Sequence, residues 1–391
     1  MFLKFFMNNT HSKIFLIIFL IFNILNSKEL YSKISNKNLS LNQLPNSYSF
    51  VIGGHTYGTP SPSLYPAASL LYKVREFNEM DLKFMILLGD IIQHQGSKNG
   101  IGELEIKIFK KTVSDMLDIP IFNSPGNHDV RNRDLYKKYF GDTYFHFQNS
   151  SELFIILDTE LKSGQIEGSQ LEYVLDLIKS TSKNINIKNI FIFMHKTLWA
   201  VNNTPLNTID PWVNGPRKGK PNEFEQIILP TLISISENKN IYIMSGDIGI
   251  KDYKLGKFPQ ESFPLFYFKD SNTKITYIGC GLAENENDAF IKVDVTRDGE
   301  VSFSIISLLG KDLGDINQYG IDYWKKYFPE KVKNKEPDIK LNNKDIRSKQ
   351  KLFPLITNVI KNKYFILGNI FSFTIIFFGF MLLRYFLKDN K

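Results

Sequence analysis

Phe84-Met85-Ile86-Leu87-Leu88-Gly89-Asp90 is an unbroken apolar run that stops on Gly-Asp. Five apolar residues without alternation read as a strand buried on both faces, as in a parallel sheet covered by helices. The Gly-Asp after it reads as a turn into a loop. Two other stretches repeat this arrangement. Pro120-Ile-Phe122 leads into Gly126-Asn127-His128-Asp129, and Asn189-Ile-Phe-Ile-Phe-Met194 runs out at His195. Strand ends in α/β folds are where side chains from distant parts of a chain converge. A carboxylate, an amide oxygen and an imidazole converging there suit a divalent cation.

Outward from these strings the pattern is strand, loop, helix, repeated. Ser49 to Ile52 predicts a strand ending in Gly53-Gly54, and Ala67 to Met80 a helix. Glu103 to Leu117 predicts an amphipathic helix. Thr143 to Gln148 and Leu153 to Leu157 read as strands, Ser169 to Ile178 and Glu223 to Ile235 as helices, and Ile241 to Met244 as a strand. After that, Leu265–Phe268, Lys274–Ile278, Phe290–Val295 and Val301–Ile306 alternate with Asn, Asp and Gly turns, the signature of an antiparallel meander. A short helix is expected near Tyr319 to Tyr327. The expected fold is an α/β sandwich, two packed mixed sheets flanked by helices.

Both ends are hydrophobic. Lys4 and Lys13 precede an apolar run from Ile14 to Leu25. Its length suits a signal-peptide core, and the lack of a clean small-x-small cleavage site leaves an uncleaved anchor open. Tyr364 to Leu383 is long enough to span a bilayer and is followed by Arg384, Lys388 and Lys391. The expected organisation is a signal peptide or N-terminal anchor (1–27), a folded domain (47–308), a charged stalk (309–363), a transmembrane helix (364–383) and a short basic tail (384–391). The expected localisation is single-pass in a membrane, with the domain exported.

The 391 residues are 43% hydrophobic and 23% charged, which suits a globular core. The net charge of +8 is partly local to the Lys-rich stretch from Lys331 to Lys351, where few aromatics are available to stack on bases; nucleic-acid binding is not expected. The single cysteine, Cys280, permits no intrachain disulfide and reads as a buried strand residue. A Walker phosphate loop, Gly-x-Gly-x-x-Gly, Gly-x-Ser-x-Gly and His-Glu-x-x-His are all absent, which removes several other enzyme classes.

In order and spacing, Gly89-Asp90, Gly126-Asn127-His128-Asp129 and His195 resemble the calcineurin-like metallophosphoesterases, over roughly residues 47 to 308. Phe154-Ile-Ile-Leu-Asp158-Thr159 and Gln170-Leu171 also resemble segments of that family. The resemblance implies two metals bridged by Asp90, with Asn127 and His195 as ligands of the second. It implies that His128 sits beside the phosphate and assists the leaving group, and that Asp129 orients its ring.

Two motifs depart from the family pattern. The first, normally Gly-Asp-x-His-x-Gly, reads Gly53-Gly54-His55-Thr56-Tyr57-Gly58, so Gly54 replaces the Asp and Thr56 the His. The last, normally Gly-His-x-His, reads Gly246-Asp247-Ile248-Gly249. The lost ligands at Gly54, Thr56 and Gly249 all belong to the first metal. The second keeps Asp90, Asn127 and His195 and exchanges a His for Asp247. The expectation is therefore one divalent ion on Asp90, Asn127, His195 and Asp247. Two carboxylates, an amide and one imidazole favour Mn, Fe or Mg over Zn. A one-residue slip in which His55 restores a first-metal ligand is the rival register. It is disfavoured because adjacent residues leaving a strand point in opposite directions. Arg217-Lys218-Gly-Lys220 could face a substrate phosphate or be a solvated loop. The expected function is membrane-tethered, metal-dependent hydrolysis of a phosphorylated substrate of unknown class. The alternative is an inactive binding module or scaffold of the same fold.

Overall fold

A computed structural model of the chain describes residues 47–58, 63–93, 100–162, 164–202, 205–206, 222–248 and 265–327. The expected signal segment (1–27), transmembrane helix (364–383), basic tail (384–391) and Arg217–Lys220 loop lie outside these residues, as does Gly249. Among the described residues no helix is long and apolar enough to cross a membrane.

The apolar runs become two sheets. The first has the order β11-β10-β1-β2-β3, built from β1 (Tyr48–Gly53), β2 (Leu82–Leu87), β3 (Ile121–Asn123), β10 (Ala289–Val295) and β11 (Val301–Ser307). The second has the order β4-β5-β6-β7-β9-β8, built from β4 (Phe145–Asn149), β5 (Glu152–Ile156), β6 (Asn189–Met194), β7 (Asn240–Ser245), β8 (Leu265–Lys269) and β9 (Ile275–Cys280). Strands β1, β2 and β3 run parallel, as do β5, β6, β7 and β9. Both sheets are mixed, as the sequence leads one to expect.

Helices α1 (Ala68–Lys73), α2 (Ile101–Thr112) and α3 (Arg133–Phe140) contribute to the outer core of the first sheet. Helices α4 (Gly168–Lys183) and α5 (Leu229–Ile235) cover the second. The absence of alternation in the strands follows directly, since both faces are buried. Along β6, Ile190, Ile192 and Met194 pack toward the helices, whereas Phe191 and Phe193 pack between the sheets.

The layer between the sheets is aromatic. Phe147, Phe154, Phe191 and Tyr242 occupy paired positions on four neighbouring strands. Their rings stack in sequence at centroid distances of 4.6, 5.0 and 4.8 Å. From the opposite sheet, Phe50 and Phe84 stack on each other at 4.8 Å and meet this row edge-on. Stacked and edge-to-face pairs each contribute about 0.5–1.5 kcal/mol beyond the area they bury.

Four expectations need correcting. The C-terminal strands are not one meander: β8 and β9 form an antiparallel pair in the second sheet, and β10 and β11 one in the first. Turn signals report a reversal but not which sheet receives the next strand. The Ala67–Met80 helix is shorter, ending at Lys73, and a separate single turn at Glu76–Asn78 drives Phe77 onto Phe290. Helix α3 was not expected, although its signals are present: Asn132 caps it through Leu135 N at 3.0 Å, and Gly141 terminates it at φ +86°. The folded domain also passes residue 308. Leu313, Ile316 and Tyr319 are buried between the sheets. Helix α6 (Ile321–Tyr327) inserts Trp324, whose Nε1 donates to Leu265 O at 2.9 Å. A stalk cannot begin at 309.

Phe154 has no exposed surface and touches both sheets. Phe154→Ala is expected to lower the unfolding free energy by about 3–5 kcal/mol, read by chemical denaturation.

Candidate metal centre

Five side chains meet where the parallel strands end. His55 follows β1, Asp90 follows β2 and Asn127 follows β3. His195 follows β6 and Asp247 follows β7. All but Asn127 are essentially buried. The first three come from one sheet and the last two from the other, so the centre straddles the seam.

His195 is oriented by the backbone. Its Nδ1–H donates to Leu88 O at 2.9 Å, and a carbonyl can only accept. Nε2 is therefore the face turned to the site, with Asn127 Oδ1 at 3.3 Å, Asp90 Oδ1 at 3.5 Å and Asp247 Oδ2 at 3.8 Å. A backbone carbonyl on the far ring nitrogen is the usual support for a metal-ligating histidine. Asp247 is fully buried, yet neither carboxylate oxygen accepts a hydrogen bond from any described residue. Buried carboxylates are normally satisfied. A buried set of carboxylate and amide oxygens facing imidazole nitrogens fits a divalent cation. His55, His195 and Asp247 each offer a ligand atom, and these lie within 4.8 Å of one another.

Asp90 takes a left-handed conformation, φ +57°, which turns its side chain into the site. Its Oδ1 accepts from His128 N at 3.0 Å. Gly126 makes this approach possible: a Cβ there would lie 2.2 Å from Asp90 Oδ1. Burial favours the neutral acid, but His195, His55 and His128 hold the Asp90 carboxyl well below the usual range. Burial likewise opposes ionisation of Asp247, and His195 and His55 again hold its pKa down.

Asp129 does something other than expected. Its carboxylate does not orient the His128 ring. Oδ2 accepts from Asp90 N at 2.7 Å and Gly126 N at 2.8 Å, and Oδ1 from Ile91 N at 2.9 Å and Ile92 N at 3.2 Å. It is a positioning residue that ties the β2 and β3 loops together. The His128 ring is held instead by Nδ1–H donating to Gln93 O at 3.1 Å. That leaves Nε2 as the second ring nitrogen, available for proton transfer.

His55 is the second departure. At φ +56° it leaves strand geometry, so the alternation argument against the rival register does not apply. Its Nε2 stands 3.2 Å from Asp90 Oδ2 and 3.5 Å from Asp247 Oδ1. Burial disfavours its cationic form, but the two carboxylates prevail and raise its pKa to about 10. The available signal was Gly53-Gly54, which gives the chain room to turn. Tyr57 also enters the site, its ring 5.3 Å from His55 and 5.2 Å from His128; nothing in the sequence marked it. Lys196 and Glu160 pair at 3.5 Å in the neighbouring wall.

The first-motif position is closed. A Cβ at Gly54 would lie 2.7 Å from Gly246 Cα and 2.9 Å from Cys280 O. The neighbouring Thr56 is fully buried.

No family model matches the chain. A probable glycerophosphodiester phosphodiesterase, GpdQ, from Arcobacter nitrofigilis is 32% identical over 121 residues, 28% of this chain and 40% of that protein. The chain thus matches less than half of that relative's length. Two solved structures are similar at 12% identity each. GAP50, the anchor in the inner membrane complex of Plasmodium, has a TM-score of 0.45 over 69% of this chain and 86% of its own. A dimetal phosphatase from Danio rerio has a TM-score of 0.46 over 67% of this chain and 99% of its own. Together with the motifs, the curated relative supports the resemblance to the calcineurin-like metallophosphoesterases, with the first and last motifs altered.

Asp129→Asn would set an amide N–H₂ against two backbone N–H groups. It is expected to cost about 2–4 kcal/mol in chemical denaturation, although the residue never faces the ion site.

Proposed function

We propose that the chain is a metal-dependent phosphoester hydrolase, tethered to a membrane through its C-terminal apolar segment, with its centre reduced to a single divalent ion. The observation that carries this reading is the buried Asp247 carboxylate, whose oxygens face the imidazoles of His55 at 3.5 Å and His195 at 3.8 Å, while His195 also faces Asp90 and Asn127. The phosphodiesterase relative supports the reaction class.

Asp90, Asn127, His195 and Asp247 would hold the ion, which when bound supplies Lewis acidity toward a phosphoryl oxygen and toward a water ligand. The protein's own contribution is order. Leu88 O fixes the His195 tautomer, and Asp129 fixes the loop that presents Asp90. His128, anchored through Nδ1 on Gln93 O, would deliver a proton from Nε2 to the leaving oxygen when both ring nitrogens are protonated, a form that burial disfavours and the neighbouring Asp90 favours. The single ion is supported by Gly54, whose surroundings leave no volume for the carboxylate that the family's first metal requires. With one ion the two-sided clamp on attacking and leaving oxygens is lost, so turnover should be slower than at a two-metal centre. A phosphorylated substrate and an exported location for the folded domain are part of the same proposal.

Three measurements bear on it. Elemental analysis of the Mn-dialysed chain should give one ion per chain. Hydrolysis of p-nitrophenyl phosphate and of its bis-ester should be lost with chelator and fall roughly 100-fold or more in Asp90→Asn and in His128→Ala. A metal-free chain, with the same thermal stability in Mn as in chelator, would instead make it a non-catalytic scaffold. Gly54→Asp, which restores the family residue, is expected to destabilise the fold by about 1–3 kcal/mol and to leave the ion count unchanged.

A further inference from the structure

The geometry points to His55 as a ligand of the same ion, a role that neither the family's first motif nor the one-ion set above gives it. The inference rests on the one-ion reading and adds to its ligand set. The family's first-motif ligands align with positions 54 and 56, where this chain has Gly and Thr. The residue between them turns inward instead.

Three independent features hold it there. The backbone at His55 is left-handed, φ +56°, a conformation that is strained for a non-glycine residue and persists where surroundings enforce it. His55 N donates to Gly89 O at 2.9 Å and Tyr57 N to Asp90 O at 3.1 Å, so the segment is bonded to the loop that carries Asp90. The two imidazoles then divide the carboxylates between them. His55 Nε2 faces Asp90 Oδ2 and Asp247 Oδ1, whereas His195 Nε2 faces Asp90 Oδ1 and Asp247 Oδ2. Their rings lie 5.8 Å apart and within 18° of parallel. Donors that are about 2.1 Å from one ion stand roughly 3.0–3.5 Å from their neighbours. The distances from His55 to the carboxylates, 3.2 and 3.5 Å, are of that size.

The addition changes which ion fits. Two imidazoles with two carboxylates and an amide oxygen form a more nitrogen-rich set than the four residues alone. Such a set favours Mn, Fe(II) or Co(II) over Mg, which prefers oxygen ligands and keeps its waters.

The test uses the full-length chain loaded with Mn(II). Pulsed EPR should detect two coupled imidazole nitrogens in the wild type and one in His55→Ala. His128→Ala should still show two, because that ring is held elsewhere. The Mn dissociation constant should rise roughly 10–100-fold or more in His55→Ala, and excess Mg should fail to displace Mn from the wild type. One bound ion with a single imidazole coupling, or unchanged affinity in His55→Ala, would overturn the His55 assignment and leave the one-ion hydrolase standing. No ion in the wild type, with or without ion binding in His55→Ala, would overturn both. The wild-type nitrogen count settles the assignment even if the variant does not fold.

Discussion

The contact between the two sheets governs everything else in this molecule. His55, Asp90 and Asn127 come from one sheet, and His195 and Asp247 from the other. No helix or loop could bring these groups within a few ångströms if the sheets slid by one residue. The stacked row of Phe147, Phe154, Phe191 and Tyr242 prevents such a slip, because each ring sits at a paired strand position. Phe50 and Phe84 enter it edge-on from the opposite sheet. Edge-to-face contact is directional where aliphatic packing is not. An aromatic layer therefore fixes orientation as well as supplying apolar burial, and a shift in either sheet would break several ring contacts at once.

Polar groups then complete the alignment at the strand ends. His195 Nδ1 crosses the seam to Leu88 O, so the ring that faces the ion site is fixed by the other sheet's backbone. Asp129 works on the near side, using both carboxylate oxygens on four amides from two loops. Burial and the neighbouring Asp90 push its pKa up to about 7, while the amides from Gly126 and Ile92 pull it down. The arrangement places one carboxylate in a structural role within a few ångströms of another that faces the ion site. What separates the two roles is the company each oxygen keeps. Asp129 is saturated with backbone N–H donors, whereas among the described residues Asp247 faces the imidazoles of His55 and His195.

Much of this was legible in the sequence, and what was not has physical causes. Buried parallel strands announce themselves as uninterrupted apolar runs, so β2, β6 and β7 and the residues at their ends were readable. Turn residues after Lys274 gave the reversals correctly. They could not say that the chain leaves one sheet for the other between β9 and β10, because both sheets offer an equally apolar edge. The end of the domain was misplaced because a short segment with one tryptophan carries no periodicity, although Trp324 is almost completely buried. The family resemblance points Asp129 at the His128 ring. Its actual partners, the amides of residues 90 to 92 and 126, have no side-chain signature at all.

The first motif shows how a local rule can fail for a local reason. Alternation along a strand holds only while the backbone stays extended. Gly53-Gly54 ends that regime, and the next residue is left-handed. Histidine is among the residues that tolerate this conformation best, and its ring is long enough to reach both carboxylates from there. The missing side chain at 54 and the inward ring at 55 are then linked. Without a Cβ, Gly54 lets the backbones at Gly246 and Cys280 close in on β1. That approach removes the volume a first-metal carboxylate would need, while the turn it permits directs an imidazole toward the remaining site. Loss at 54 and gain at 55 are two consequences of one backbone geometry, so neither substitution can be judged by its own position in a motif.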